Sequence, residues 1–262
     1  MTDAKTRPEA ADDPLADTPL DETQRHRIKE LIEEEEGATN KLAGTLGWLV
    51  GAAAVAVSLF HLYAAAAGSW PFTATPIVPT YLLRPVHVGL VLALVYLLYP
   101  MIRSFRHRIT PIDWIGAALS LGVIGYIAWQ GPDFGDRATD PTQTDFLIGT
   151  VLIVILLEAT RRATGLIMPI VSIVFLLYAM LGHRLPAPWT HRGYGLEDIV
   201  AHLYMTLEGI FGTTVEVSSS LIILFTIYGA ILQHSGAGKF FIDFSFALLG
   251  GKRNSAGRAV VL

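Results

Sequence analysis

Long apolar runs separated by short polar segments set the pattern of this chain. Runs at about 42–68, 81–102, 112–130, 165–182 and 217–233 are long enough, or nearly so, to cross a bilayer as helices. A hydrocarbon core about 30 Å thick takes roughly 20 apolar helical residues. Within it every backbone polar group needs a partner in the protein, which favours helices. A sixth run, 146–157, holds only 12 apolar residues before Glu158 and is short enough for a re-entrant piece. Extended to 142–162 it spans. The pattern therefore predicts an all-α, polytopic membrane protein of about six transmembrane helices.

Charge placement favours the spanning alternative. If 142–162 crosses and the N-terminus is cytoplasmic, fifteen of the nineteen Lys and Arg fall on the cytoplasmic side. If it does not cross, only eleven do. Lys and Arg accumulate in cytoplasmic loops, so the first arrangement is expected, in a cell (inner or plasma) membrane.

Two polar stretches flank the runs. Residues 1–41 carry 18 of the 42 charged side chains and read as a cytoplasmic tail, disordered at first, then a short charged helix over 20–36. Between the fifth and sixth runs, Leu196, Ile199, Val200, Leu203, Tyr204, Leu207 and Phe211 recur at helical spacing. They predict an outer amphipathic helix, whose stripe fits either the membrane interface or a protein surface. A shorter apolar stretch from Phe240 to Leu249 predicts a helix on or just within the cytoplasmic face.

Composition excludes more than it identifies. There is no cysteine, hence no disulfide, thiolate nucleophile or Cys metal site. No nucleophile elbow, zinc helix or phosphate loop occurs, so no enzyme and no metal site are expected. Nor is a nucleic-acid partner expected; the lipid bilayer is the surrounding the pattern calls for. His61, His87 and His234 fall near helix ends, far apart in sequence, where packing is the commoner role. Ser218, Ser219 and Ser220 open the last run, and adjacent helical serines point in different directions. Glu208 and Glu216 flank them at expected interfacial positions.

The structural candidates are five. Gly47 and Gly51 form a G-x-x-x-G pair that permits close helix approach. Glu158 and Arg162 lie four apart and can pair on one helix face, with Arg161 beside them. One reading is topological: two arginines at the cytoplasmic interface, one neutralised by Glu158. The other is an inter-helix anchor within a transport scaffold.

The segments T-L-E-G-I-F-G at 206–212, I-L-F-T-I-Y-G-A-I-L at 223–232, S-G-A-G-K-F-F-I-D at 235–243 and L-L-E-A-T-R-R-A-T-G at 156–165 resemble the permease of tripartite ATP-independent periplasmic (TRAP) transporters. The likeness is to the form with small and large (DctM-like) membrane subunits fused, paired with a TAXI-type extracytoplasmic solute-binding protein. It covers about 145–251 and is only architectural over 40–144. It implies an elevator-type, sodium-coupled symporter of organic anions such as C4-dicarboxylate-like acids. It further implies a small-subunit-like scaffold at 42–164, a linking helix and outer loop at 165–193, and the start of the large-subunit domain at 194–262. In that family the sodium and substrate sites lie in Gly/Ser-rich hairpins beyond the position matching Leu262. The resemblance thus implies an N-terminal fragment that binds no cofactor itself and needs the remainder of the permease. A non-transporting membrane scaffold or assembly protein is the rival expectation.

Overall fold

The computed structural model describes residues 44–69, 71, 74–102 and 109–249, with isolated positions 21, 23, 24, 27, 28 and 42. The tail and its expected helix, the basic loop at 103–108 and the end at 250–262 lie outside the described residues, apart from those isolated positions.

Among the described residues all regular structure is helical. The main helices are α1 (Gly44–Ala66), α2 (Thr80–Leu98), α3 (Pro111–Gln130), α4 (Gln143–Thr164), α5 (Ile167–Leu181), α6 (Leu196–Met205), α7 (Thr213–His234) and α8 (Ala237–Leu249). Five segments are long and apolar enough to cross a membrane: α1, α2, α3, Ile167–Arg184 and α7. The chain is a multi-pass helical membrane protein.

The expected sixth span forms one continuous helix of 22 residues, α4, and not a 12-residue piece. Its charged residues sit in its first turn and its last two turns. At about 1.5 Å per residue it is some 33 Å long. Other expected elements shift slightly. α2 stops at Leu98, short of 102. Pro169 falls in the first turn of α5, where a missing N–H does no harm, so it does not interrupt that helix. α6 ends at Met205 rather than running to Phe211.

α2, α3 and α4 make the core. α3 runs antiparallel to both neighbours. Small residues let the backbones approach: a Cβ at Gly89 would collide with Ile124, one at Gly116 with the ring of Tyr96, and one at Gly149 with Val200 and Tyr204. Leu92, Tyr96, Ile127, Leu152, Ile155 and Tyr204 fill the space between. The stripe of α6 turns inward onto α4, burying Val200, Ala201, Tyr204 and Met205. The amphipathic helix is therefore covered by its own chain. Burial pushes the Tyr204 phenol up, and its hydroxyl has no hydrogen-bond partner.

Candidate functional site

Two helix starts with the same local chemistry place carboxylates at opposite ends of the core. Thr110-Pro-Ile-Asp113 opens α3 and Thr142-Gln-Thr-Asp145 opens α4. Each is a capping box, with the Asp side chain accepting from the N-cap backbone. Since α3 and α4 are antiparallel, Asp113 and Asp145 end up a helix length apart. Both are fully buried or nearly so.

At the first end, α4 answers Asp113 with Arg162. The two side chains are 0 % exposed and paired. Arg162 also donates to Glu158 (2.9 Å) and to the Tyr99 carbonyl at the end of α2 (3.2 Å). Its guanidinium lies 4.6 Å from the centroid of the Tyr96 ring. Arg161 donates twice to Glu158, at 2.7 Å each, and reaches the Met101 carbonyl. Glu158 thus bridges both arginines. Arg162 ties three helices together from inside the bundle, while Arg161 stays at the rim.

At the other end, Asp145 accepts from the Tyr126 hydroxyl (2.7 Å) and from Arg137 (3.0 Å). Gln130 donates to the same tyrosine oxygen. α4 is therefore fastened to α3 at both termini and covers the same length as that apolar helix.

A third polar group joins α1 and α2 to the start of α7. Arg84 donates to the Phe211 carbonyl (3.0 Å) and pairs with Glu216 (2.8 Å). One turn further along α2, the Nδ1 of His87 lies 2.9 Å from the Nε2 of His61, and its own Nε2 lies 3.1 Å from Ser218 Oγ. Ser218 begins a π-turn, Ser218–Ile222, within α7. Such turns are rare and concentrate at functional sites. Ser219 and Ser220 both donate to the Glu216 carbonyl, and only Ser218 reaches across to another helix.

The structure thus brings together His61, His87 and Ser218, which are far apart in the chain. His234 stays apart at the end of α7, bonded to the Ala230 carbonyl of its own helix. Glu216 is half-exposed but paired, whereas Glu208 lies in an exposed turn. On α1, a Cβ at Gly51 would meet nothing within 4 Å, and one at Gly47 only Leu42 of its own segment. Asp113, Asp145, Arg84 and Arg137 were not candidates from sequence. The T-x-x-D spacing could have flagged the two aspartates. Nothing in the local sequence names their arginine partners.

A groove of about 540 Å³ lies between α5 and α6, bordered by Leu176, Arg192, Tyr194, Asp198 and His202. A smaller apolar cavity of about 150 Å³ lies by Tyr81, Phe134, Tyr204 and Phe211. Neither gathers a set of convergent oxygens. No group of three or more His, Cys, Asp or Glu suited to a metal occurs among the described residues.

Residues 151–262 match the family model described as "Tripartite ATP-independent periplasmic transporter, DctM component". No curated protein and no solved structure matches the chain.

Proposed function

We propose that this chain belongs to the membrane permease of a TRAP-type secondary transporter, in the form that joins small and large membrane subunits. It would serve sodium-coupled uptake of an organic anion delivered by an extracytoplasmic, TAXI-type solute-binding protein. The observation that carries this reading is the family match from residue 151 onward, taken with the architecture before it. α2, α3 and the first eight residues of α4 precede the match, and the matched segment is fixed to α3 at Arg162 and to α2 at Glu216. That is the arrangement expected of a scaffold on which a transport domain is mounted. α4 counts as a sixth crossing, because it keeps pace with α3 from end to end.

The positive-inside bias supports a cytoplasmic N-terminus. The Arg162 end of the bundle then faces the cytoplasm, and α6 faces outward, where a binding protein docks. Reporter fusions after Arg162 are expected to read cytoplasmic and fusions after Asp136 external. An external reading at Arg162 would overturn this orientation.

The transport test is reconstitution into proteoliposomes with the solute-binding protein encoded beside this gene. Accumulation of labelled carboxylates that requires both that protein and an inward sodium gradient is expected. A rival reading, a membrane scaffold that moves no solute, draws on the locked core and the lack of convergent oxygen ligands among the described residues. It predicts no sodium-dependent uptake and no solute-binding protein encoded nearby.

A further inference from the structure

We propose that His61 and His87 together form an intramembrane site for a single proton, linked through Ser218 to the π-turn of α7. The assignment follows from the hydrogen bonds one after another. His61 Nδ1 lies 2.8 Å from the Val57 carbonyl, which can only accept, so Nδ1 carries a proton. In the neutral pair Nε2 of His61 is then a bare lone pair. The 2.9 Å contact places the shared proton on Nδ1 of His87. This leaves Nε2 of His87 bare, and Ser218 donates to it across 3.1 Å. Every ring nitrogen is engaged, so the pair is complete without a metal ion.

An added proton has one place to go. It enters at His87 Nε2, which then donates to Ser218 Oγ, and the serine hydrogen turns away. The direction of that hydrogen bond reverses while its atoms stay in place. A second proton would sit on His61 Nε2 and face the Nδ1–H of His87. Two donors would then meet at 2.9 Å, and the contact would break. The pair therefore takes up one proton where two separate imidazoles would take two.

The surroundings isolate the site. His61 is 1 % and His87 6 % exposed. His61 lies five residues before the end of α1, His87 seven after the start of α2, and Ser218 five after the start of α7. At about 1.5 Å per residue all three sit some 7–11 Å inside the same end of the bundle. The charged groups facing them are Arg84 on α2 and Glu216 on α7, which neutralise each other. α1 contributes no charge, and the one acidic residue of α3, Asp113, is engaged at the far end with Arg162. Because Ser218 opens the π-turn, the proton is read by a helix that lies wholly within the family match. The site rests on geometry alone and stands whether or not the chain transports.

Ring-¹⁵N-histidine nuclear magnetic resonance on the full chain in lipid nanodiscs tests this. At high pH a scalar coupling through an N–H···N bond is expected between two imidazoles. That coupling identifies the pair without any variant, and both rings should carry their proton on Nδ1. On acidification the coupled pair should take up one proton. Two independent protonations, no protonation while the fold persists, or absence of the N–H···N coupling would each overturn the site. Ser218→Ala should keep the coupling and lower the protonation midpoint by about one pH unit, since a charged donor gains more from an acceptor than a neutral ring gains from a hydroxyl. An unmoved midpoint would remove Ser218 from the proposal.

Discussion

The core helices α2 and α3 and the helices α5 and α7 are comparably apolar but use their surfaces in opposite ways. In α2 and α3, 44 % and 33 % of the membrane-length window is buried within the chain, against 11 % in the segment containing α5 and 6 % in α7. The first group holds buried ion pairs and glycines pressed against neighbours. The second presents Phe175, Phe225, Tyr228 and Ile231 outward. Hydropathy does not separate the two groups, because lipid and a neighbouring helix are equally apolar surroundings. What separates them is where a helix can afford polarity. A charge in a membrane helix persists only with a partner inside the protein, so Arg162, Asp113 and Asp145 mark the helices whose neighbours are already present.

The strongest way to break that contrast is to remove one half of a buried pair. Arg162→Ala leaves Asp113 and Glu158 charged and short of a partner in the interior. A loss of about 3–5 kcal/mol is expected, enough to threaten the fold. Thermal unfolding in detergent or nanodiscs measures it. The double variant Arg162→Met with Asp113→Leu removes both charges and should recover most of the loss, as paired removal of buried charges commonly does. If the double variant is as unstable as the single one, the charges matter for more than mutual neutralisation.

Next in size is close packing. Gly149→Val inserts atoms where α4 meets Val200 and Tyr204 of α6. Overpacking of this kind costs about 1–3 kcal/mol. Gly229 on α7 has nothing within 4 Å of a Cβ. Gly229→Ala should therefore be neutral or slightly stabilising, by up to about 1 kcal/mol from helix propensity. Equal destabilisation of both would mean that α7 is as tightly held as α4, and the contrast would fail.

The crossings were legible because apolar length is a strong local signal. α4, whose apolar stretch before Glu158 is short, is one continuous helix of 22 residues, but it is not among the five segments long and apolar enough to cross. The Glu158–Arg162 pairing was also readable, since four residues bring side chains onto one helix face. The third partner was not. Asp113 lies 49 positions from Arg162, and only the antiparallel packing of α3 on α4 brings them together. The same holds for His61, His87 and Ser218. Each resembles an ordinary packing residue on its own helix, and the chain of hydrogen bonds exists only once α1, α2 and α7 converge. Periodicity found Val200 and Tyr204 of the α6 stripe, but Leu196 and Leu207 are exposed, the helix ends at Met205, and the pattern could not name its cover. α4 covers it because Gly149 leaves room for Tyr204.

The smallest loss expected lies at the seam between the two groups, at Glu216 of α7, which meets Arg84 of α2. The Arg84 side chain is 10 % exposed, whereas that of Glu216 is 52 % exposed. Solvent screens the pair, so Glu216→Gln should cost no more than about 1 kcal/mol. Arg84→Gln loses the ion pair and also the hydrogen bond to the Phe211 carbonyl. A charged donor to such a carbonyl contributes about 1.5–3 kcal/mol, so this variant should be the worse of the two. Unfolding midpoints of both variants, at low and high salt, separate the contributions. Salt should reduce the Glu216 effect and leave most of the Arg84 effect. If the two variants are equally mild, the Phe211 contact holds little, and α7 is joined to the bundle by screened charge alone. If Glu216→Gln is the worse, the half-exposed carboxylate is shielded by lipid more than its exposure within the chain implies, and the boundary between the packed and the open helices moves outward to include the start of α7.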